Sequence, residues 1–161
     1  MIAAYLSLLR SVTRRWPWWA LASSALMLAI AHAFETFGGL APCLLCLKQR
    51  EAYWIAMGVA AAAIVAASLL KRPAIVRLLC AALALVFLVG MGLAIWHDGA
   101  EWNWWPGPNA CALSTSATVS ASGINDLLGG APQRQPSCEV ALWRFLGLSM
   151  AGWNVLISLK L

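Results

Sequence analysis

The sequence predicts an all-α membrane protein, a bundle of four transmembrane helices with two loops on one face. Hydrophobic residues make up 62% of the 161 positions, charged residues make up 11%, and the mean hydropathy is +0.77. A soluble domain of this size must cover itself with more polar surface than that composition supplies. We therefore expect the chain to lie in a bilayer as a single domain covering residues 1–161.

Four apolar stretches have the roughly 17 to 25 residues that a ~30 Å hydrocarbon core requires of a helix. They cover about residues 18–37, 53–70, 75–96 and 141–159. A cleaved secretory signal is the alternative interpretation of the first stretch. Its apolar run is long, however, and Gly38 and Gly39 lead from it straight into a cysteine motif. Four membrane spans are therefore the better prediction.

The distribution of charge predicts the orientation of these spans. Segments before the first span, around the turn between the second and third, and after the fourth contain basic residues and no acid: Arg10, Arg14, Arg15, Lys71, Arg72, Arg77 and Lys160. Basic loops stay in the cytoplasm, so both termini are predicted to be cytoplasmic. All six acids lie at or near the other face. The net charge of +5 thus reflects membrane topology, and we predict no nucleic-acid partner.

The outer face carries two loops of unequal length, at about residues 38–52 and 97–140. The second is rich in Pro, Gly, Ser and Asn, and loops of such length are usually functional or mobile. Its one patterned piece contains Ile124, Leu127 and Leu128. That spacing predicts a short helix lying on the membrane surface.

Five cysteines divide into one isolated residue and four on the outer face. Cys80 stands alone inside the third apolar stretch, where a free cysteine normally packs as a small hydrophobe. Cys43, Cys46, Cys111 and Cys138 all project to the face where disulfides persist. Pairing among these four is the default expectation.

Metal and haem binding are weaker interpretations of the same cysteines. The gaps between Cys46, Cys111 and Cys138 do not form two short-spaced ligand pairs, and no nearby histidine completes a familiar zinc set. Covalent haem attachment would need a histidine after the second cysteine, where Leu47 stands. We therefore predict no metal site.

The Cys43-Leu44-Leu45-Cys46 motif has the features of a redox pair rather than of a structural cross-link. Its two-residue gap closes a very small ring at a helix start, where unpaired backbone N–H groups favour a thiolate. If the helix begins near Pro42, Arg50 and Tyr53 share the face of the two cysteines. Arg50 alone would be interpreted as an interfacial snorkelling residue, but beside this motif it is predicted to stabilise negative charge.

These motifs together resemble the DsbB family, the quinone-dependent disulfide oxidases of bacterial inner membranes. The resemblance rests on the run from Pro42 to Arg50, on four spans, on His97 at the end of the third, and on the run from Cys138 to Leu148. It covers nearly the whole chain. In the related vitamin K epoxide reductase family the loop cysteines precede the CxxC, so that family is the alternative.

The resemblance implies a function, a partner and a cofactor. Proteins of this family reoxidise DsbA, a soluble periplasmic thioredoxin-fold protein, and pass the electrons to ubiquinone or menaquinone in the inner membrane. By this resemblance Cys111 and Cys138 accept electrons from the partner, and Cys43 and Cys46 pass them to quinone. Arg50, Cys46 and His97 are the residues expected at the quinone.

Some assignments stay open at the level of sequence. His97 has a second interpretation as part of a helix cap with Asp98, and His32 and Glu35 have structural and proton-handling interpretations of equal weight. A membrane protein with permanent disulfides and a small transporter subunit are alternative functions. Neither of them explains a CxxC motif beside Arg50.

Overall fold

The computed structural model describes residues 2–108 and 136–161, and these residues are mostly helical. Cys111 and the predicted surface helix at residues 124–128 lie outside the described residues. Three long helices come first, the second of them extended by a π-helical turn, and a two-stranded hairpin then precedes a short helix. In chain order the elements are α1 (Ile2–Thr36), α2 (Leu44–Val65), the π-helical turn (Ala66–Leu70), α3 (Pro73–Glu101), β1 (Arg144–Phe145), β2 (Leu148–Ser149) and α4 (Met150–Lys160).

Among the described residues, three segments are long and apolar enough to cross a membrane: Thr13–Thr36, Leu44–Leu70 and Pro73–Glu101. The prediction of a helical membrane protein is therefore confirmed. The second helix begins at Leu44, close to the start near Pro42 that the CxxC motif predicts, so its membrane-crossing segment starts before the apolar stretch at residue 53. The third continues past the predicted end at Trp96 to Glu101.

The fourth helix begins later than the apolar run at residues 141–159 predicts. Leu146 (φ +52°) and Gly147 (φ +82°) both adopt left-handed backbone angles and form the turn of a hairpin in which Phe145 pairs with Leu148. Such a two-residue turn matches the twist of the flanking strands. Helix α4 then starts at Met150 with 11 residues, or about 16 Å, which is roughly half of a ~30 Å hydrocarbon core.

Small residues allow the helices to approach closely. Helix α2 packs against α1 on one side and α3 on the other, and α3 also packs against α4. The core between them consists of alanines that are fully buried and a few large apolar side chains: Ala20, Leu28, Tyr53, Ala56, Ala60, Leu83 and Phe87. Alanine at such contacts is typical of membrane helices, where packing rather than water exclusion drives association.

The two ends of the bundle differ in chemistry. At one end the Trp16 indole donates a hydrogen bond to the Leu161 carbonyl at 2.5 Å, and the Cys80 thiol donates to the Thr13 carbonyl at 3.8 Å. Cys80 is free and buried there, in agreement with its predicted packing role. The opposite end brings together the end of α1, the start of α2 and the end of α3, and it contains the remaining described cysteines.

Candidate redox site

The CxxC motif forms the start of α2. Cys43 is the N-cap residue, and its Sγ accepts a hydrogen bond from the backbone N–H of Cys46 at 3.2 Å. The two sulfurs lie 2.8 Å apart, and both cysteines are free. A disulfide between them therefore requires only a small movement of the side chains.

The charge of the reduced pair is unequally divided between the two sulfurs. The pKa of Cys43 is raised well above the ordinary thiol value, first because its side chain hydrogen-bonds to Cys46 and second because it is buried. A thiol that keeps its proton beside a second sulfur leaves the negative charge on that second sulfur. Cys46 is thus the member of the pair that is poised as a thiolate.

His97 lies against this pair, although the sequence placed it at the outer end of the third helix. Helix α3 continues to Glu101, so His97 sits inside the last turns of the helix and is only 3% exposed. Its Nε2 is 3.5 Å from Cys43 Sγ and 3.5 Å from Glu101 Oε1. Asp98, the proposed capping partner, instead accepts a hydrogen bond from Ser149 Oγ at 3.1 Å and so ties α3 to α4.

The structure places a histidine beside the cysteines, although none stands near them in the sequence. The ligand atoms of Cys43, Cys46 and His97 all lie within 4.8 Å of one another. Two thiolates and an imidazole are ligands that thiophilic ions accept. Sequence spacing could not reveal this group, because 54 positions separate Cys43 from His97.

Arg50 lies one turn below Cys46 and is held against α1. Its Nη1 forms an ion pair with Glu35 Oε2 at 2.5 Å, and its Nη2 donates to the Ala31 carbonyl at 3.1 Å. The Arg50 side chain is 16% exposed and that of Glu35 is 41% exposed. Glu35 thus holds the Arg50 guanidinium against α1. His32 is the other residue whose role the sequence left open. Its ring nitrogen Nδ1 lies 2.8 Å from the Leu28 carbonyl oxygen of the same helix.

A chain of buried polar side chains runs from His97 into the bundle. Gln49 Nε2 is 3.1 Å from His97 Nδ1, and Asn154 Nδ2 donates to Gln49 Oε1 at 2.6 Å. Asn154 Oδ1 accepts hydrogen bonds from the hydroxyl groups of Tyr53 and Ser158. Sequence reasoning did not single out Gln49 or Asn154. For Asn154 the available signal was a polar residue inside an apolar stretch, which usually faces a bundle interior.

Cys138 reaches the same end of the bundle from the long loop. It is disulfide-bonded and fully buried, and it packs with Cys43 and Leu45 in one cluster. The neighbouring Glu139 accepts a hydrogen bond from the Gly107 backbone N–H at 3.3 Å, which joins the two described ends of the loop. The structure therefore brings together three of the four cysteines predicted to carry the chemistry.

An apolar cavity of about 370 Å³ opens beside the cysteines. Cys43, Cys46, Arg50 and Tyr53 all line it, as their predicted common helical face requires. Most of the wall is apolar and comes from α1, α4 and the segment before α4, including Met27, Ile30, Phe34, Leu142, Met150 and Ile157. The cavity thus has an apolar body with the cysteines, Arg50 and His97 among its few polar groups.

Aromatic side chains build one side of this cavity. Phe34 and Trp143 have ring centroids 5.1 Å apart, and Trp143 stacks on Phe145 at 5.8 Å with an interplanar angle of 11°. The Trp153 indole donates to the Phe145 carbonyl at 3.1 Å. The hairpin that shortens α4 thus supplies an aromatic wall, which a continuous helix over residues 141–159 would have arranged differently.

Comparison with known proteins decides the family. The model for Disulfide bond formation protein DsbB matches residues 13–161. The chain belongs to the DsbB family. It is 29% identical over 147 residues to Disulfide bond formation protein B of Pasteurella multocida, a match covering 90% of this chain and 79% of the relative. It is 32% identical over 119 residues to the Vibrio cholerae protein of the same name, covering 73% and 65%. No solved structure gives a significant match.

Membership of the DsbB family supports a disulfide oxidoreductase role in a membrane protein. The geometry is consistent with that role, because two free sulfurs in contact lie beside a buried, disulfide-bonded Cys138. The arrangement can exchange disulfides between neighbouring cysteine pairs.

Proposed function

We propose that this DsbB-family protein is a quinone-dependent disulfide oxidase of the bacterial inner membrane. Cys111 and Cys138 oxidise a periplasmic thioredoxin-fold protein of the DsbA type, and Cys43 and Cys46 pass the two electrons to ubiquinone or menaquinone. The main support for this proposal is that the described cysteines form a continuous path to the cavity. Cys138 packs against Cys43, and Cys46 lines the apolar cavity.

The exchange sequence conserves bonds and electrons at every step. A thiolate of the partner attacks Cys111, forms a mixed disulfide and releases Cys138 as a thiolate. Cys138 attacks Cys43, the new bond replaces the Cys43–Cys46 disulfide, and Cys46 leaves as a thiolate. The second thiolate of the partner then attacks its own sulfur in the mixed disulfide, which releases the oxidised partner and leaves Cys111 as a thiolate. Each exchange breaks one S–S bond and makes one. The burial of Cys138 against Cys43 supports this order, as does the raised pKa of Cys43, which favours charge on Cys46.

The cavity fits a quinone head group. Its volume of about 370 Å³ lies within the roughly 300 to 1000 Å³ that is usual for ligand pockets. Its aromatic and aliphatic walls suit a flat, apolar ring, and Arg50 supplies hydrogen-bond donors for a ring oxygen. A bound quinone would supply the acceptor for two electrons. Arg50 would orient it, and Cys46 would face it as the thiolate.

The alternatives explain less of the site. A protein with purely structural disulfides does not account for a free CxxC pair beside a large cavity. A vitamin K epoxide reductase-like thiol oxidase would use similar chemistry, but the CxxC here precedes the loop pair in the chain. Trapping the redox state of the outer cysteines in cells with and without respiratory quinone separates these functions, because structural disulfides would be unchanged.

The direct test is coupled turnover. Purified protein in detergent, mixed with a reduced DsbA-type protein and a short-chain quinone, is expected to form one quinol for each dithiol oxidised, because both reactions transfer two electrons. Quinol is followed by absorbance and thiols by a colorimetric reagent. Cys80→Ala is the matched control and should keep full activity, since Cys80 lies at the opposite end of the bundle. Thiol loss without quinol formation would refute the quinone assignment.

The same proposal includes the predicted topology of four transmembrane helices with both termini in the cytoplasm. In a Cys80→Ala background, a membrane-impermeant thiol reagent should label the reduced outer cysteines in intact spheroplasts, because both cysteine loops are proposed to be periplasmic. Ser68→Cys, an exposed position in the π-helical turn that follows α2, should be labelled only after lysis. The reverse pattern would contradict the proposed orientation.

A further inference from the structure

The buried side chains from Tyr53 to His97 form a chain of hydrogen bonds in which each donor fixes the next acceptor. Each of its links joins a side chain that can donate with one that can accept, and it crosses from α4 through α2 to α3. His97, Gln49 and Asn154 are all at most 8% exposed, so water does not compete for these hydrogen bonds. In a buried chain of this kind, the donor or acceptor role of each side chain limits the role of the next one.

The direction of donation along the chain is set by the orientation of the Asn154 and Gln49 amides. Asn154 Oδ1 receives two hydroxyl groups, from Tyr53 and from Ser158, and Asn154 Nδ2 donates to Gln49 Oε1. Gln49 then has only its NH₂ group for His97, and an amide NH₂ group donates but does not accept. With both amides in this orientation, His97 Nδ1 accepts and the proton of the neutral ring lies on Nε2.

This tautomer points an N–H group at the redox pair. His97 Nε2 is 3.5 Å from Cys43 Sγ and equally far from Glu101 Oε1. Cys43 Sγ also accepts the backbone N–H of Cys46. Two donors thus converge on the Cys43 sulfur, in an environment where hydrogen bonds to a charged sulfur are strong.

We propose that Gln49 and Asn154 are positioning residues that hold His97 as an Nε2–H donor to the Cys43 sulfur during disulfide exchange. The inference rests on the proposed function and concerns one step of it. When the Cys111 thiolate attacks Cys138 in the Cys138–Cys43 disulfide, that S–S bond breaks and the Cys111–Cys138 bond forms. Cys43 leaves with the electron pair, and the His97 N–H stabilises the departing thiolate.

The tautomer can be measured directly. The chain has two histidines, so His32→Gln leaves His97 as the only one. With ¹⁵N-labelled histidine in the reduced, detergent-solubilised protein, we expect a protonated Nε2 and a bare Nδ1. Gln49→Glu should reverse this pattern, because a carboxylate accepts but does not donate. A protonated Nδ1 in the His32→Gln protein, or an unchanged pattern in Gln49→Glu, would overturn the proposal.

A kinetic test separates positioning from quinone binding. In quinone-free oxidised protein, electron transfer from a reduced DsbA-type protein to the Cys43–Cys46 pair is followed in a single turnover. Asn154→Leu is expected to slow it roughly 10-fold or more, because Gln49 is no longer held in place and the hydrogen bond from His97 to the charged Cys43 sulfur is lost. Ser158→Ala, which keeps the Tyr53 contact, should be near the unmodified rate. An unchanged rate in a folded Asn154→Leu protein contradicts the inference.

The two tests also separate the inference from the proposed function. If Asn154→Leu does not fold, the nitrogen spectra of His32→Gln and Gln49→Glu still decide the tautomer. No exchange in the unmodified protein would count against the proposed function, whereas normal exchange with the other tautomer would count against the inference alone.

Discussion

Cys138→Ala is expected to abolish turnover and to leave the partner protein covalently attached through Cys111. Cys138 is fully buried and packs against Cys43, so a bulky soluble protein cannot reach its sulfur in this arrangement. We therefore propose that electrons enter at Cys111. Without Cys138, the pair has no second thiol that could displace the partner from Cys111. In that variant Cys111 is a free thiol, so the adduct is formed by incubation with the oxidised partner.

The adduct is measured by non-reducing electrophoresis and mass spectrometry after incubation with a periplasmic extract. Cys111→Ala should abolish partner oxidation while leaving the Cys43–Cys46 pair reactive toward quinone, and Cys80→Ala should behave as the unmodified protein. An adduct that maps to Cys43 or Cys46 would reverse the proposed direction of electron flow.

Arg50→Ala is expected to have the second large effect. Removing one preorganised donor to a developing negative charge costs about 2 to 4 kcal/mol, or roughly 30- to 1000-fold in quinone turnover. Arg50 is positioned for this role because Glu35 and the Ala31 carbonyl hold two of its nitrogens beside the cavity. Arg50→Lys should restore only part of the activity, because an ammonium group lacks the planar fork that meets both partners at once.

Glu35→Gln is the matched comparison. It retains the guanidinium but removes the charge of its partner, so its effect on turnover should be smaller than that of Arg50→Ala. The measurement is kcat and apparent KM for a short-chain quinone with the purified variants. Unchanged values for Arg50→Ala would remove Arg50 from the site.

The class of the protein and the core of the site follow from local patterns. Composition and the length of apolar runs predict a helical membrane protein, since a bilayer requires helices of a minimum length. The spacing of Cys43, Cys46 and Arg50 predicts a common helical face because that face depends only on helical periodicity. Both predictions agree with the structure of α2 and with the residues that line the cavity.

The start of the last helix could not be predicted in the same way. Apolar residues continue from Ala141 to Leu159, and hydropathy does not distinguish a helix from a hairpin lying against other helices. The turn needs left-handed angles at both Leu146 and Gly147, and only the glycine signals them in sequence. Leu146 adopts its unfavourable positive φ in a hairpin whose aromatic side chains pack against α1 and α4.

The membrane class, the CxxC at a helix start and the arginine one turn away could all be predicted from the chain, because composition and short-range spacing suffice for them. The contact of His97 with Cys43 and that of Asn154 with Gln49, 105 positions earlier, appear only in the folded protein. Such contacts depend on how three helices are rotated and shifted against each other. That arrangement is set by the packing of many small side chains at once, which no single motif encodes.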